Sequence, residues 1–309
     1  MAMLLADVGG TNARLALAHA GKIDPVSITR FRGEDYADFD SVVTTYLQQQ
    51  SQPALTAVCV AVAGPVAGGQ ARLTNRDWSF DQTGLARLTG VDRVRLINDL
   101  TALGYATAML GDDGYGVLRA VDPARSRNGQ GLVVNAGTGF NVCSVRHLSG
   151  GGVICLEHEE GHTVLPGNIQ DRLRAALGPA AAGFPTTEDL FAGRGLSRLH
   201  AALHGTEPVR SEEIARALEG GDAAALRTYR FYAELFGLLC RELALRFMPL
   251  EGLYLAGSVA RSVNRQDLQS IFIDAMMAEP FMRAIPANVP ILVIRDDMAA
   301  LSGCVAALT

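Results

Sequence analysis

Two glycine-rich turns and an Asn-Asp pair carry most of the chemistry this sequence can support. Asp7-Val8-Gly9-Gly10-Thr11-Asn12 and Asn135-Ala136-Gly137-Thr138-Gly139 each lie between apolar runs. Glycine leaves backbone N–H groups uncovered by a Cβ, so such a turn can approach a phosphate closely, and a threonine hydroxyl adds a donor. Either turn alone reads most simply as a tight hairpin. The two together, one with Asp7 at a strand end where Mg²⁺-bound water could be held, point to nucleotide phosphates. Asn98-Asp99 directly follows the strand-like run Val94-Arg95-Leu96-Ile97. Ligands in open α/β sheets gather at the carboxyl ends of strands, where a carboxylate can serve as a general base. Asp99 could equally cap the helix expected over Leu100 to Met109.

His158-Glu159-Glu160-Gly161-His162 formally matches a zinc-protease pattern. Two histidines four apart reach one metal only from one face of a helix. Gly161 inside the motif, the strand-like Val153 to Leu156 before it and Pro166-Gly167 after it all disfavour a helix. A solvated acidic loop is one alternative, and Glu159 with His162 facing a polyol is another, since sugar hydroxyls need both acceptors and donors. Thr187-Glu188 precedes Gly193-Arg194-Gly195-Leu196; Thr187 as the cap of a helix beginning at Glu188 explains that acid without a ligand.

Elements that would position these residues follow from the apolar patterning. Strands are expected at Leu4 to Ala6 and Ala13 to Leu17 around the first turn, and at Ser27 to Phe31, Leu55 to Ala63 and Val94 to Ile97. Helices are expected at Phe39 to Gln48 and Asp81 to Leu88. The strand, glycine turn, strand pattern recurs over Leu132 to Val145, aligning Asp7 with Asn135 and Gly9 with Gly137, although turns of this kind also arise by chance. Helical periodicity returns at Glu212 to Leu218 and Ala223 to Phe247. Strands at Leu253 to Ala256 and Val289 to Ile294 precede a terminal helix.

Composition narrows the function class. At 309 residues, 49% apolar and 19% charged, the chain is long enough for two cores. With 27 basic and 32 acidic residues its net charge is −5, which offers no global field for nucleic acid or an anionic membrane. The single lysine, Lys22 in Gly21-Lys22-Ile23, is not in a phosphate-binding P-loop. Cys59, Cys143, Cys155, Cys240 and Cys304 are scattered in apolar runs and read as small core residues in a reducing compartment. The N-terminus has neither the charge nor the apolar length of a signal peptide, so a cytoplasmic location is expected.

Taken in order, these segments resemble the bacterial glucokinases of the hexokinase/actin/Hsp70-like ATPase superfamily. The resemblance spans nearly the whole chain: Asp7 to Leu17, Ala63-Gly64-Pro65-Val66, Leu73 to Trp78, Ile97-Asn98-Asp99, Ala136 to Gly139, Glu159 with Gly161-His162, Glu188 ahead of Gly193 and Gly195-Leu196, and Ala256-Gly257. It implies an α/β fold with a duplicated mixed-sheet core (ribonuclease-H-like, actin-like ATPase). A small domain would comprise 1–109 plus 295–309, a large domain 110–294, and the active site would lie in the cleft between them. It implies phosphorylation of glucose at the 6-hydroxyl by ATP with Mg²⁺, another hexose or a catalytically silent sugar sensor being the alternatives. By resemblance Asp99 is the base, while Asn98, Glu159, His162 and Glu188 bind the sugar with it. Asp7 stands near Mg²⁺, Gly9, Gly10, Thr11, Asn12, Gly137, Thr138 and Gly139 form the phosphate turns, and Gly257 forms the adenosine turn. A homodimer is implied as well. Asn135, Asn141, Ser258 and Glu160 replace residues usual in the family, which are glycines. The cysteine-rich zinc motif of the related repressor/kinase family is missing, so no metal beyond Mg²⁺ is expected.

Overall fold

In a computed structural model of the chain, which describes residues 1–73 and 76–309, the first glycine turn joins β1 (Ala2–Val8) to β2 (Asn12–His19) in an antiparallel hairpin. Thr74 and Asn75 of the Leu73 to Trp78 motif lie outside the described residues. β3 (Lys22–Ile23) and β4 (Thr29–Arg32) extend the hairpin, and α1 (Phe39–Gln49) leads to β5 (Leu55–Val62). β6 (Val66–Ala67), β7 (Gln70–Arg72) and β8 (Ser79–Asp81) make a small antiparallel sheet. α2 (Gln82–Thr89) then enters β9 (Val94–Asn98), and α3 (Asp99–Ala106) leaves it. After β10 (Tyr115–Arg119) the second hairpin forms from β11 (Gln130–Ala136) and β12 (Phe140–His147), followed by β13 (Val153–Glu157). Five helices follow: α4 (Gly167–Leu177), α5 (Thr187–Phe191), α6 (Gly193–His204), α7 (Ser211–Glu219) and α8 (Ala223–Phe247). The chain closes with β14 (Gly252–Ala256), α9 (Ser258–Arg261), α10 (Gln266–Met276), α11 (Ala284–Ala287), β15 (Ile291–Ile294) and α12 (Ala299–Leu308). Among the described residues no helix is long and apolar enough to cross a membrane.

The chain divides into two compact units. One comprises Met1–Gly114, His147–Cys155 and Asp296–Thr309; the other comprises Tyr115–Arg146 and Leu156–Arg295. The first sheet runs β3-β2-β1-β5-β9, with β4 also on β2, and the second runs β10-β15-β14-β11-β12-β13. In the first, β1 pairs antiparallel with β2 and parallel with β5, which pairs parallel with β9. In the second, β11 pairs antiparallel with β12 and parallel with β14, which pairs parallel with β15. The order β2-β1-β5-β9 is therefore repeated as β12-β11-β14-β15, with both glycine turns at the same corner. This topological identity establishes the duplicated core, which a glycine hairpin alone does not.

Strand alternation explains the long apolar run of β5. Val58, Val60 and Val62 join Leu4, Ala6 and Val8 in a core with Phe39, Val42, Val43 and Tyr46 of α1. Ala57, Cys59 and Ala61 face the other way, with Leu5, onto Leu301, Cys304 and Val305 of α12. A strand covered on both faces needs apolar residues throughout. In the second unit Leu132, Val134, Leu253 and Leu255 pack in one core with Tyr232, Phe236, Leu239 and Leu243 of α8. Four of the cysteines are buried, but Cys155 is only half-buried, contrary to the reading of all five as core residues. It lies on the outermost strand, β13, where Ile154 and Leu156 are exposed.

Candidate active site

In the first unit, β1 and β9 flank β5 and both end at its carboxyl end, which brings Asp7 and the Asn98-Asp99 pair to one edge of the sheet. Asp7 is level with Ala61, Asn98 with Val62, and Val8 with Val62. The turn between β1 and β2 is closed by a bond from the Gly9 N–H to the Asn12 carbonyl at 2.9 Å. Arg76 braces it: its guanidinium donates to the Gly10 carbonyl at 3.4 Å and to the Gly33 carbonyl at 2.7 Å, while the Gly33 N–H donates to the Thr11 carbonyl at 2.9 Å.

The capping role belongs to Asn98. Its Oδ1 accepts from the Leu100 N–H at 2.9 Å, and its Nδ2 donates to the Gly64 carbonyl at 2.9 Å, tying the end of β9 to the Ala63-Gly64-Pro65 loop. Asp99 is the first residue of α3, with Oδ1 also accepting from the Leu100 N–H at 2.8 Å. Burial first, and then the neighbouring Asp7 charge, push the Asp99 carboxyl up to about 6, against hydrogen bonds that favour ionisation. Burial raises Asp7 too, opposed by Arg14, its partner across the hairpin. Two desolvated acids side by side, one near neutrality, suit proton transfer better than a mere cap.

In the second unit the strand ends hold a second turn. The Gly137 N–H donates to the Gly139 carbonyl at 2.9 Å, and the Gly193 N–H at the start of α6 donates to the Gly137 carbonyl at 2.7 Å. Gly257 follows β14, the parallel neighbour of β11, with φ +86°; a methyl there would stand 2.3 Å from the Ala136 carbonyl oxygen. No side chain fits, so this glycine is dictated by the close approach of two backbones.

Glu188 lies beside the same turn. Its Oε2 accepts from the Phe140 N–H at 3.0 Å and its Oε1 from Arg194 at 2.6 Å. The helix cap is Thr186, not Thr187: Thr186 and Asp189 form a reciprocal capping box, while the buried Thr187 hydroxyl meets Thr163. This leaves Glu188 free of any capping duty.

The Glu159 to His162 loop packs onto the start of β12 through Gly161, where a methyl would stand 2.2 Å from the Phe140 carbonyl oxygen. Glu159 and His162 are exposed, with Oε2 and Nε2 4.0 Å apart. Glu160–His162 form a single 3₁₀ turn, and His158 turns away to Ser144 Oγ at 2.7 Å. The two histidines of the zinc-like pattern therefore do not share a helical face. Glu160 is buried, paired with Arg246 and bonded to Thr163, so the extra charge in this loop is neutralised within the unit. Asn141 takes the Glu160 N–H on Oδ1 at 3.0 Å and donates Nδ2 to Glu159 Oε2 at 3.3 Å. A residue that looked like a departure from the family pattern is thus the tie that holds the loop.

The sequence profile of the glucokinase family matches residues 4–309. The chain belongs to the glucokinase family. A glucokinase from Marinobacter nauticus is 30% identical over 319 aligned residues, covering 99% of this chain and 96% of that protein. The crystal structure of a glucokinase from an Antarctic psychrotroph superposes with a TM-score of 0.83 at 25% identity, over 99% of this chain and 98% of that one. A ROK family glucokinase from Streptomyces griseus, solved with glucose and AMPPNP, shares the fold at a TM-score of 0.63 and 17% identity, over 98% of each chain.

Proposed function

We propose that this chain transfers the γ-phosphoryl group of ATP to the 6-hydroxyl of glucose, releasing ADP and glucose 6-phosphate for glycolysis in the cytoplasm. The observation that carries the reading is Asp99: a half-buried carboxylate at the carboxyl end of β9, with a proton affinity raised to about 6 beside Asp7. Asp99 takes the proton as the sugar oxygen forms its bond to the γ-phosphorus. The bond from that phosphorus to the β,γ-bridging oxygen breaks, and Asp99 returns the proton to solvent. Such transfer passes through a loose transition state, so positioning and charge stabilisation matter most and a P-loop lysine is not needed.

In this reading Asn98, Glu159, His162 and Glu188 bind the other hydroxyls. Gly9 to Asn12 and Gly137 to Gly139 receive phosphates on backbone N–H groups, and Gly257 faces adenosine. Mg²⁺ fits the donors present, because Asp7 is a hard carboxylate oxygen whose own ionisation is opposed by burial, a penalty that a cation relieves. Asp7 would hold the ion through water. When bound with ATP, Mg²⁺ neutralises charge on the phosphates. Removal of Mg²⁺ by chelation abolishes turnover on this account. A homodimer is the expected assembly and is checked by light scattering. The experiment that tests the function is ADP release coupled to each of several hexoses: turnover with glucose supports it, and sugar binding without ADP release refutes it.

A further inference from the structure

Where α5 meets α6, the backbone leaves a single position at which a side chain can be chosen. A methyl on Gly195 would stand 2.4 Å from the Leu190 carbonyl oxygen, and the Gly193 N–H is committed to the Gly137 carbonyl. Arg194 lies between them. Its Nη2 donates to Glu188 Oε1 at 2.6 Å, while Glu188 Oε2 takes the Phe140 N–H at 3.0 Å. The same Oε2 would stand 2.9 Å from a methyl on Gly139, so the carboxylate lies directly against the second glycine turn. Each of its oxygens therefore has one fixed donor. A carboxylate offers about four lone-pair sites in all, so both oxygens keep acceptor capacity for hydroxyls, in a plane that the two donors define. Asp189, the other acid near Arg194, is 4.0 Å away and already engaged. Its Oδ2 accepts from the Thr186 N–H and hydroxyl, and Arg198 pairs with its Oδ1 at 3.5 Å.

We propose that Arg194 is a positioning residue for sugar recognition, acting through Glu188 by holding its carboxylate in the orientation that meets the hydroxyls of a hexose. The role rests on the glucose chemistry proposed above, in which Glu188 binds sugar. Donors from two directions, the Phe140 backbone and the Arg194 side chain, stop the carboxylate from turning; with Phe140 alone it rotates about that one bond. The Arg194 contact joins two charged groups and is correspondingly short. Its contribution to the fold is small, because the Arg194 side chain is 58% exposed and solvent screens the pair. A pair that adds little to stability yet constrains a carboxylate beside the glycine turn serves orientation rather than folding. The turn itself is closed by backbone bonds among Gly137, Gly139 and Gly193, so nucleotide binding does not depend on the Arg194 side chain.

Two substitutions in the intact chain test this. Arg194→Met keeps an apolar stem and removes the donor, while Arg194→Lys returns a cationic donor, which suffices for a contact made through a single nitrogen. Calorimetric titration of wild type and both variants with glucose, and separately with a non-hydrolysable ATP analogue and Mg²⁺, reads both affinities without turnover. R194M should weaken glucose binding ~3–10-fold, R194K should recover most of that loss, and nucleotide affinity should stay within ~2-fold of wild type. Melting temperatures should agree with wild type to within about 3 °C, and a larger drop would make Arg194 a structural residue and overturn the proposal. Because affinity is the readout, a wild type that binds glucose without releasing ADP refutes the proposed activity and leaves this comparison intact. Wild-type glucose affinity in R194M, no recovery in R194K, or a nucleotide affinity that falls as far as the glucose affinity overturns the proposal.

Discussion

Replacing Asp99 by Asn separates the catalytic use of the carboxylate from its effect on folding. Asn keeps the shape and an Oδ1 that can accept from the Leu100 N–H, as Asp99 does at 2.8 Å, but it cannot take a proton. General-base assistance contributes ~10²–10⁴ in rate, so the catalytic constant should fall at least ~100-fold while glucose affinity, measured by calorimetry, changes much less. Stability should move the other way. A carboxyl raised from 3.8 in the unfolded chain to about 6 in the folded one penalises folding once it is charged. That penalty is absent below pH 3.8, grows as pH rises through the interval and is complete above about 6, where the shift corresponds to about 3 kcal/mol. The Asn variant should therefore melt higher than wild type at pH 7.5 and match it near pH 3.5, if both stay folded there. Wild-type kcat/KM should likewise fall as pH drops below about 6, where the free base becomes protonated. Normal turnover in the variant, or a lower melting temperature at pH 7.5, would refute the reasoning and make Asp99 a helix-terminal residue only.

Glu188→Gln removes one acceptor and the ion pair with Arg194, so the glucose KM should rise ~10-fold or more and discrimination against the C4 epimer should weaken; equal wild-type use of both sugars would remove the basis for this assignment. Asn141→Ala frees the Glu160 N–H and the Glu159 carboxylate from their tie; steady-state kinetics should show a glucose KM raised several-fold with kcat much less affected, and an unchanged KM would show that the loop holds itself. Gly257→Ala places a methyl 2.3 Å from the Ala136 carbonyl oxygen at a positive φ, which should destabilise the fold by about 1–3 kcal/mol in denaturant melts and raise the KM for ATP more than that for glucose.

Much of this arrangement was legible because it rests on local rules. The hairpins around Gly9 and Gly137, the doubly covered strand at Leu55 to Val62 and the long helix over Ala223 to Phe247 each announce themselves by periodicity and turn residues. Duplication was not decidable from two hairpins, since it resides in which strands pair, a long-range property. Capping was also ambiguous: in Asn98-Asp99 and in Thr186-Thr187 two adjacent residues compete for one N–H, and only the backbone angles choose between them. Asn141 looked like a spoiled glycine because its partners, Glu159 and Glu160, are 18 and 19 positions away. Arg76 and Arg194 stand inside quoted motifs but received no role for the same reason, since an arginine in a sequence carries no sign of the carbonyl or carboxylate it will brace.

The central claim is that this chain joins ATP and glucose in one reaction, and it is tested most directly by following phosphorus. With purified protein, ATP, Mg²⁺ and glucose, ³¹P NMR should show the γ-phosphate resonance of ATP replaced by equal amounts of ADP and glucose 6-phosphate, with no product when glucose is left out. Glucose bound tightly with ATP left intact, or ADP formed together with free phosphate at the same rate with and without sugar, would contradict the account.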